Sequence, residues 1–460
     1  MFSTINPATG QLIAQFDLHT PAQVEAKLVA VHQAQRQWAQ VSTLERAKAL
    51  RFIAQELRSQ SKELAALITL EMGKPIVEAE AEIEKCAWTC DYYAEFAPVH
   101  LADETIASSA SLSQVVFNPL GVVLAVMPWN YPFWQVLRFA APAIAAGNGA
   151  VLKHANNVPQ CAMAIERVIH QALEKAGAPK DIFVSLLVAS SSVKALIEDP
   201  RICAVTLTGS TPVGKLVASQ AGAVLKKQVL ELGGSDPFIV LADADIAAAA
   251  KAAVKARFSN TGQSCISSKR FLVIDSVAEQ FVEAFAAGAR ALKMAEPTLR
   301  DTQIGPMARG NLRDELHSQV ERSLAAGARL VCGGNAIAGP GYYYEATVLD
   351  HVQPHMAAAA EETFGPVAAV LRVKSAEEAI AIANDTEFGL AAAIWTGDAA
   401  GGAAYARQLE AGAVFVNGMV ASDPRLPFGG IKQSGYGREL GSYGIREFTN
   451  IKTVWVGPAR

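Results

Sequence analysis

One thiol, Cys265, stands in the stretch Phe258-Ser-Asn-Thr-Gly-Gln-Ser-Cys265-Ile-Ser-Ser-Lys-Arg270, after a short Asn-Thr-Gly turn and before the apolar run Phe271-Leu-Val-Ile274. A thiolate on a loop between packed elements is a strong nucleophile. An isolated cysteine is more often a small buried hydrophobe, so a catalytic reading needs partners elsewhere in the chain. Four stretches offer them. Pro128-Trp-Asn-Tyr-Pro132 sets Asn130 between aromatics at the end of an apolar run. Val151-Leu-Lys-His-Ala-Asn156 puts Lys153 at a strand end, and Val229-Leu-Glu-Leu-Gly-Gly234 puts a single carboxylate, Glu231, in apolar surroundings. Glu361-Glu-Thr-Phe-Gly-Pro366 puts two acids before a turn. Each also reads as an ordinary loop or helix cap. Three of the four sit at strand ends, where ligands gather in crossover folds.

Gly209-Ser-Thr-Pro-Val-Gly214 lies between a strand and a helix. A helix N-terminus there can hold a phosphate on its free N–H groups. The stretch is not G-x-G-x-x-G, and no acid clearly takes the ribose position some twenty residues later. A structural turn is an equal reading.

The elements that must position these groups follow from periodicity. Thr20-Pro21-x-Gln23 is a capping signal, followed by Val24, Leu28, Val31 and Trp38 at helical spacing. Helices also begin at Ser42-x-x-Glu45 and cover 64–72 and 76–97, so the first hundred residues are mainly helical. Ser111–Phe117 alternates as a half-exposed strand does. The continuous run Val122–Met127 suits a strand buried on both faces. Strands at 150–153, 182–187 and 204–208 then alternate with helices at 159–176 and 193–197. This order predicts a doubly wound α/β domain. A second α/β series starts near 232, with strands at 237–241, 271–274, 329–332, 368–372, 392–395 and 413–416. The tail Ile451–Val456 reads as a strand that needs a pairing edge. Together with 111–117 it suggests a small sheet between subunits; an edge strand pairing within the monomer is the alternative.

The chain has 460 residues, 51% hydrophobic and 18% charged, with net charge −4. That length predicts two or three domains, and the charge points to neither nucleic acid nor an anionic membrane. The longest apolar runs are strand-length, short of a membrane span. Met1-Phe-Ser-Thr-Ile-Asn-Pro7 lacks the basic and apolar regions of a signal peptide. The six cysteines, at 86, 90, 161, 203, 265 and 332, form no C-x-x-C and no zinc-like spacing with histidine. A reduced, cytoplasmic protein without structural metal is expected.

The ordered set Pro128-Trp-Asn130, Gly209-Ser210, Glu231-Leu-Gly-Gly234, Gly262-Gln-Ser-Cys265, Glu362-x-Phe-Gly-Pro366 and Pro427-Phe-Gly-Gly-Ile-Lys-x-Ser-Gly-x-Gly-Arg-Glu439 resembles the aldehyde dehydrogenase superfamily. The resemblance runs from Asn6-Pro-Ala-Thr-Gly10 to the final strand and is nearest to short bacterial succinate-semialdehyde dehydrogenases. It implies an α/β fold with a Rossmann-type NAD(P)-binding domain (1–105 with 120–230) and a catalytic domain (231–435). It also implies an oligomerisation sheet (106–119 with 436–460) in a homodimer or homotetramer. Cys265 would attack the aldehyde to give a thiohemiacetal. Asn130 and the Cys265 N–H would form an oxyanion hole. Glu231 would activate water, its pKa raised among Leu230, Leu232 and glycines. Lys153 and Glu362 would hold ribose hydroxyls. Phe364 would support the nicotinamide, Gly209 and Ser210 would lie at the pyrophosphate, and Trp129 in the same crevice. Trp134, Arg138, Ser422, Arg425 and Phe428 would line the substrate tunnel, with Arg138 as a carboxylate-binding arginine.

Three positions depart from the pattern. Asn156 stands where an acid favours NAD and a serine admits NADP; a neutral amide allows either, so both NAD and NADP are expected. Ser259 stands where a second carboxylate-binding arginine is expected, and Arg425 is the candidate to replace it. Ser267 stands where relatives with a redox switch carry a second cysteine, so no disulfide within the loop is expected. Glu231 argues against acylating relatives, which need no base for water. Cys265, Asn130 and Glu231 together argue against a non-catalytic protein on the same scaffold.

Overall fold

Continuous apolar runs bounded by glycine, proline or polar caps produce two α/β units, in which the inner strands are buried on both faces and edge strands such as Arg329–Cys332 and Ala413–Val416 are partly exposed. The computed structural model describes residues 1–457. The first sheet has six strands in the order Gly435–Tyr436, Lys227–Glu231, Ile202–Thr208, Val122–Met127, Gly149–His154, Phe183–Ser185. All pair in parallel except Gly435–Tyr436, which runs antiparallel to Lys227–Glu231. The chain enters at Val122–Met127, builds outward through Gly149–His154 and Phe183–Ser185, then returns to the other side of its first strand with Ile202–Thr208. The strand order therefore reverses between Val122–Met127 and Ile202–Thr208, and a crevice opens beyond their C-terminal ends. Trp129 and Asn130 follow the first of these strands; Gly209 and Ser210 follow the second.

Residues 232–236 lead straight from Glu231 into Pro237–Val240, the inner strand of a seven-stranded sheet. Its order is Arg329–Cys332, Thr347–Asp350, Val367–Val373, Arg270–Ile274, Pro237–Val240, Ala391–Trp395, Ala413–Val416, parallel but for the edge strand Arg329–Cys332. The C-terminal ends of the first sheet thus face the N-terminal ends of the second. The Cys265 loop, just before Arg270–Ile274, is delivered to that junction.

The tail Thr449–Val456 pairs antiparallel with Leu112–Pro119 of the same chain, and Glu104–Thr105 lies on that strand's other side. This is the within-chain alternative for the terminal strand.

Several elements differ from the sequence reading. The helix Trp134–Ala145 is not apparent from periodicity: all its residues are buried, so it has no polar face to mark a period. The strand Thr347–Asp350 and the hairpin Phe2–Ile5 with Leu12–Phe16 are additional. The strand expected over 182–187 covers only Phe183–Ser185 and follows a 3-10 turn, Lys180–Ile182. Gly435–Tyr436, at the expected edge of the catalytic domain, belongs instead to the six-stranded sheet.

Candidate active site

The loop carrying Cys265 is held in a strained shape. Asn260, Thr261 and Gly262 have φ of 54°, 55° and 70°. For Thr this left-handed conformation is costly and persists only where neighbours fix it. They do so here. Asn260 N–H donates to Glu78 Oε2 (2.7 Å), and its Nδ2 donates to the backbone carbonyls of Asn130 and Gln263 (3.0 and 3.1 Å). The N–H of Gly305 meets Thr261 Oγ1 at 3.2 Å, and the N–H of Ala308 donates to Gln263 Oε1 at 2.9 Å. Gly262 packs so tightly that a Cβ there would collide with the carbonyl of Gly365.

Past the thiol, the buried Lys269 ammonium donates to the carbonyls of Ser264 (3.2 Å), Cys265 (2.8 Å) and Ser267 (3.3 Å) and lies 3.7 Å from Glu362. Burial lowers its pKa. Sequence reasoning missed Lys269; the signal was a lysine immediately before an apolar strand.

Cys265 is half-buried and lines two cavities at once, as does Gln135. Burial pushes the thiol up to about 11; Arg138 and Lys269 pull it down, and Glu362 and Asp236 oppose them. The resting group is therefore a thiol, and attack requires its proton to leave.

The first cavity, of about 710 Å³, is the crevice at the strand reversal. Trp129, Asn130, Gly209, Ser210, Glu362 and Phe364 all line it. Trp129 meets Phe364 edge-to-face at 5.8 Å. Ser210 caps the helix Thr211–Ala223 without a side-chain hydrogen bond, leaving the first N–H groups for a ligand. That helix lies close on the strand ends because Gly214 abuts Leu232, where any Cβ would collide. Lys153 lies near the end of the neighbouring strand and Asn156 just after it, both outside the wall of this cavity. Lys153 Nζ donates to Asn156 Oδ1 at 2.9 Å, and burial holds the ammonium down to about 8. An aromatic pair, a free helix N-terminus and a buried lysine at strand ends fit a dinucleotide.

The second cavity, of about 440 Å³, is lined by Trp134, Arg138, Ser422 and Phe428, and by Ser259 where an arginine was expected. Arg425 is not in its wall. It is 66% exposed and binds Asp423 with two hydrogen bonds (2.8 and 2.6 Å), so the expectation that it supplies the missing cation is corrected. Its neighbour in sequence Asp423 captures it locally. Arg138 is committed in part. It is buried, ion-paired with Glu439, bonded to Thr208 Oγ1 at 3.2 Å, and stacked over Phe428 at 4.6 Å. Among the described residues its Nη1 makes no hydrogen bond, so Arg138 keeps one donor for the cavity whose wall it forms.

Glu231 ends its strand fully buried, with neither carboxylate oxygen hydrogen-bonded. Burial raises its pKa, and the nearby Glu439 raises it further, against Arg138 and Arg438. The segment it heads touches the nucleophile loop: a Cβ on Gly234 would lie 3.0 Å from the Cys265 carbonyl. Asn130 Nδ2 donates one hydrogen to Gln263 O at 3.1 Å, leaving its second N–H free. The junction thus joins a thiol and an amide donor between one crevice fit for a dinucleotide and a smaller cavity, while the unsatisfied Glu231 carboxylate is buried beside Gly429 and lines neither cavity.

A model of the Aldehyde dehydrogenase family matches residues 1–454. A probable succinate-semialdehyde dehydrogenase [NADP(+)] of Synechocystis is 51% identical over 454 residues, covering 99% of both chains. A succinate semialdehyde dehydrogenase [NAD(P)+] of Escherichia coli is 49% identical over 98% of this chain and 97% of its own. Among solved structures, the succinic semialdehyde dehydrogenase of Streptococcus pyogenes in complex with NADP+ superposes with a TM-score of 0.96 at 36% identity, covering all of both chains. The chain belongs to the aldehyde dehydrogenase family.

Proposed function

We propose that this protein oxidises succinate semialdehyde to succinate with NAD+ or NADP+. The single observation that carries the reading is the position of Cys265 in the walls of both cavities, within a chain about half identical over its full length to succinate-semialdehyde dehydrogenases.

The chain's own residues have the following work. Cys265 loses its proton and attacks the aldehyde carbon, giving a thiohemiacetal. The oxygen that becomes negative is held by the free N–H of Asn130 Nδ2 and the Cys265 backbone N–H. A nicotinamide held in the crevice would supply the acceptor for the hydride of the thiohemiacetal carbon. Trp129 and Phe364 wall the crevice in which it would lie; Gly209, Ser210 and the helix they open would receive the pyrophosphate. Lys153 and Glu362 would take ribose hydroxyls. The thioester left on Cys265 needs water, and Glu231 takes the water's proton as it attacks, a step its raised pKa suits. Succinate leaves and the thiol is restored.

A homo-oligomer accompanies this reading. Ile451, Trp455 and Val456 are exposed on the outermost strand of the three-stranded sheet, an edge able to pair with another chain. A reducing, cytoplasmic setting also goes with it, since the nucleophile works as a free thiol. No helix among the described residues is long and apolar enough to cross a membrane.

The test is reduced-nicotinamide formation without CoA, over a panel of succinate semialdehyde, glutarate semialdehyde and uncharged aldehydes of similar length. The expected result is highest kcat/KM for succinate semialdehyde, lost in Cys265→Ala. A higher kcat/KM for an uncharged aldehyde overturns the substrate assignment.

A further inference from the structure

The cavity shared by Cys265, Trp134, Ser422 and Phe428 needs a cation if its substrate carries a carboxylate. The charged groups in its wall are Glu78, Glu82, Lys85, Arg138 and Lys255. Most are already engaged. Glu82 is ion-paired with Lys74 and accepts the N–H groups of Phe133 and Trp134, both at 2.9 Å. Glu78 accepts the N–H of Asn260. Arg138 is paired with Glu439. Lys255 is exposed, so water screens its charge.

Lys85 differs. It projects from the long helix Ile76–His100 and is half-buried. Among the described residues no carboxylate lies within ion-pairing distance of it. Its ammonium donates to Ser422 Oγ at 2.7 Å and sits over the Trp134 ring at 4.3 Å. These two contacts fix the ammonium without neutralising it. Ser422, buried and accepting from Lys85, keeps its own O–H free to donate. Asp423, the nearest acid in sequence, is taken by Arg425.

We propose that Lys85, with the hydroxyl of Ser422, binds the carboxylate of the substrate in the cavity that Cys265 lines, beside Arg138 and in the role that Ser259 and Arg425 do not fill. The ammonium and the O–H together present two donors to two carboxylate oxygens, with Trp134 and Phe428 walling the methylenes between. Burial and the Arg138 cation hold the Lys85 ammonium down to about 8, and a docked carboxylate offsets both effects. The inference rests on the acid-semialdehyde reading above.

The test compares kcat/KM for succinate semialdehyde with that for butyraldehyde, an uncharged aldehyde of the same carbon number. Lys85→Met and Lys85→Gln should each lower the ratio on the order of 30–100-fold, as loss of a charged hydrogen bond implies, mainly through KM for succinate semialdehyde. Lys85→Arg should recover part of it, and Lys255→Met should leave the ratio in place. Inhibition by succinate, read with butyraldehyde as substrate, should weaken in parallel. A wild-type ratio near one overturns the substrate reading and this inference with it. A high wild-type ratio that survives in both Lys85 variants, or equal losses for both aldehydes, overturns this inference alone.

Discussion

The ammonium of Lys269 donates a 2.8 Å hydrogen bond to the backbone carbonyl of Cys265, the nucleophile of the proposed reaction. Two more loop carbonyls and the Glu362 carboxylate share the same cation, so one buried charge ties the thiol's loop to a cofactor-side acid. Lys269→Met removes all of this and leaves three carbonyls without that donor. Truncating one partner of a buried charged network costs about 3–5 kcal/mol. The expected outcome is a lower urea midpoint and faster alkylation of Cys265 in the cofactor-free protein, as the loop opens. An unchanged midpoint would show that the loop is held without Lys269.

Burial raises the proton affinity of Glu231, and Glu439 raises it further. The two acids repel, and Glu439 is held by its ion pair with Arg138. Glu439→Gln removes the like charge and frees the Arg138 cation, and both changes favour ionised Glu231. The acid limb of the kcat–pH profile, where deacylation limits the rate, should therefore move to lower pH. A limb that stays in place would assign it to a group other than Glu231.

Cys265, Glu231 and Asn130, the proposed nucleophile, base and oxyanion donor, stand out in the sequence because each sits at a strand end or on the loop before a strand, and short apolar runs mark such strands well. The fold class was legible for the same reason. The helix Trp134–Ala145 was not, since burial on all sides erases its amphipathic signature. The charge partners were also hidden. Lys85 and Ser422 meet across 337 positions, and Arg138 finds Glu439 only through the fold. Arg425 looked suited to the substrate tunnel because sequence shows a charge but not the Asp423 that captures it.

Gly262 carries φ of 70° and abuts the Gly365 carbonyl. Gly262→Ala meets both a left-handed backbone and a backbone atom that cannot swing aside. We expect a destabilisation of about 2–4 kcal/mol in chemical denaturation, from strain and overpacking together. Activity should fall more than folding does, because the displaced segment carries Cys265. A fully active Gly262→Ala would mean that the loop geometry is not needed for attack.

Asn156 accepts from Lys153 at 2.9 Å at the strand end assigned to the ribose. Asn156→Asp adds a negative charge where a 2′-phosphate would approach, while a 2′-hydroxyl can still donate to it. The ratio of kcat/KM for NADP over NAD should drop roughly 10–100-fold, the range of one close like-charge contact in a partly solvated site. Equal effects on both cofactors would separate Asn156 from the ribose.

Glu231→Gln should separate stability from turnover. The folded-state pKa of Glu231 is raised above its unfolded value, so the folded protein binds this proton more tightly. The stability it contributes is full below the unfolded carboxylate pKa, about 4.3. It is lost as pH rises toward the folded pKa, when an ion forms among groups that offer its oxygens no hydrogen bond. A glutamine has no charge to bury. Relative to wild type, Glu231→Gln should therefore gain Tm at alkaline pH, and the gain should shrink as the pH falls toward 5. Steady-state turnover should drop on the order of 100-fold or more for loss of the base. A burst of reduced nicotinamide should persist, because Cys265 and Asn130 are untouched. A variant less stable than wild type at alkaline pH, or one without a burst, would show that Glu231 contributes to the fold or to the first half-reaction rather than to release of the acid.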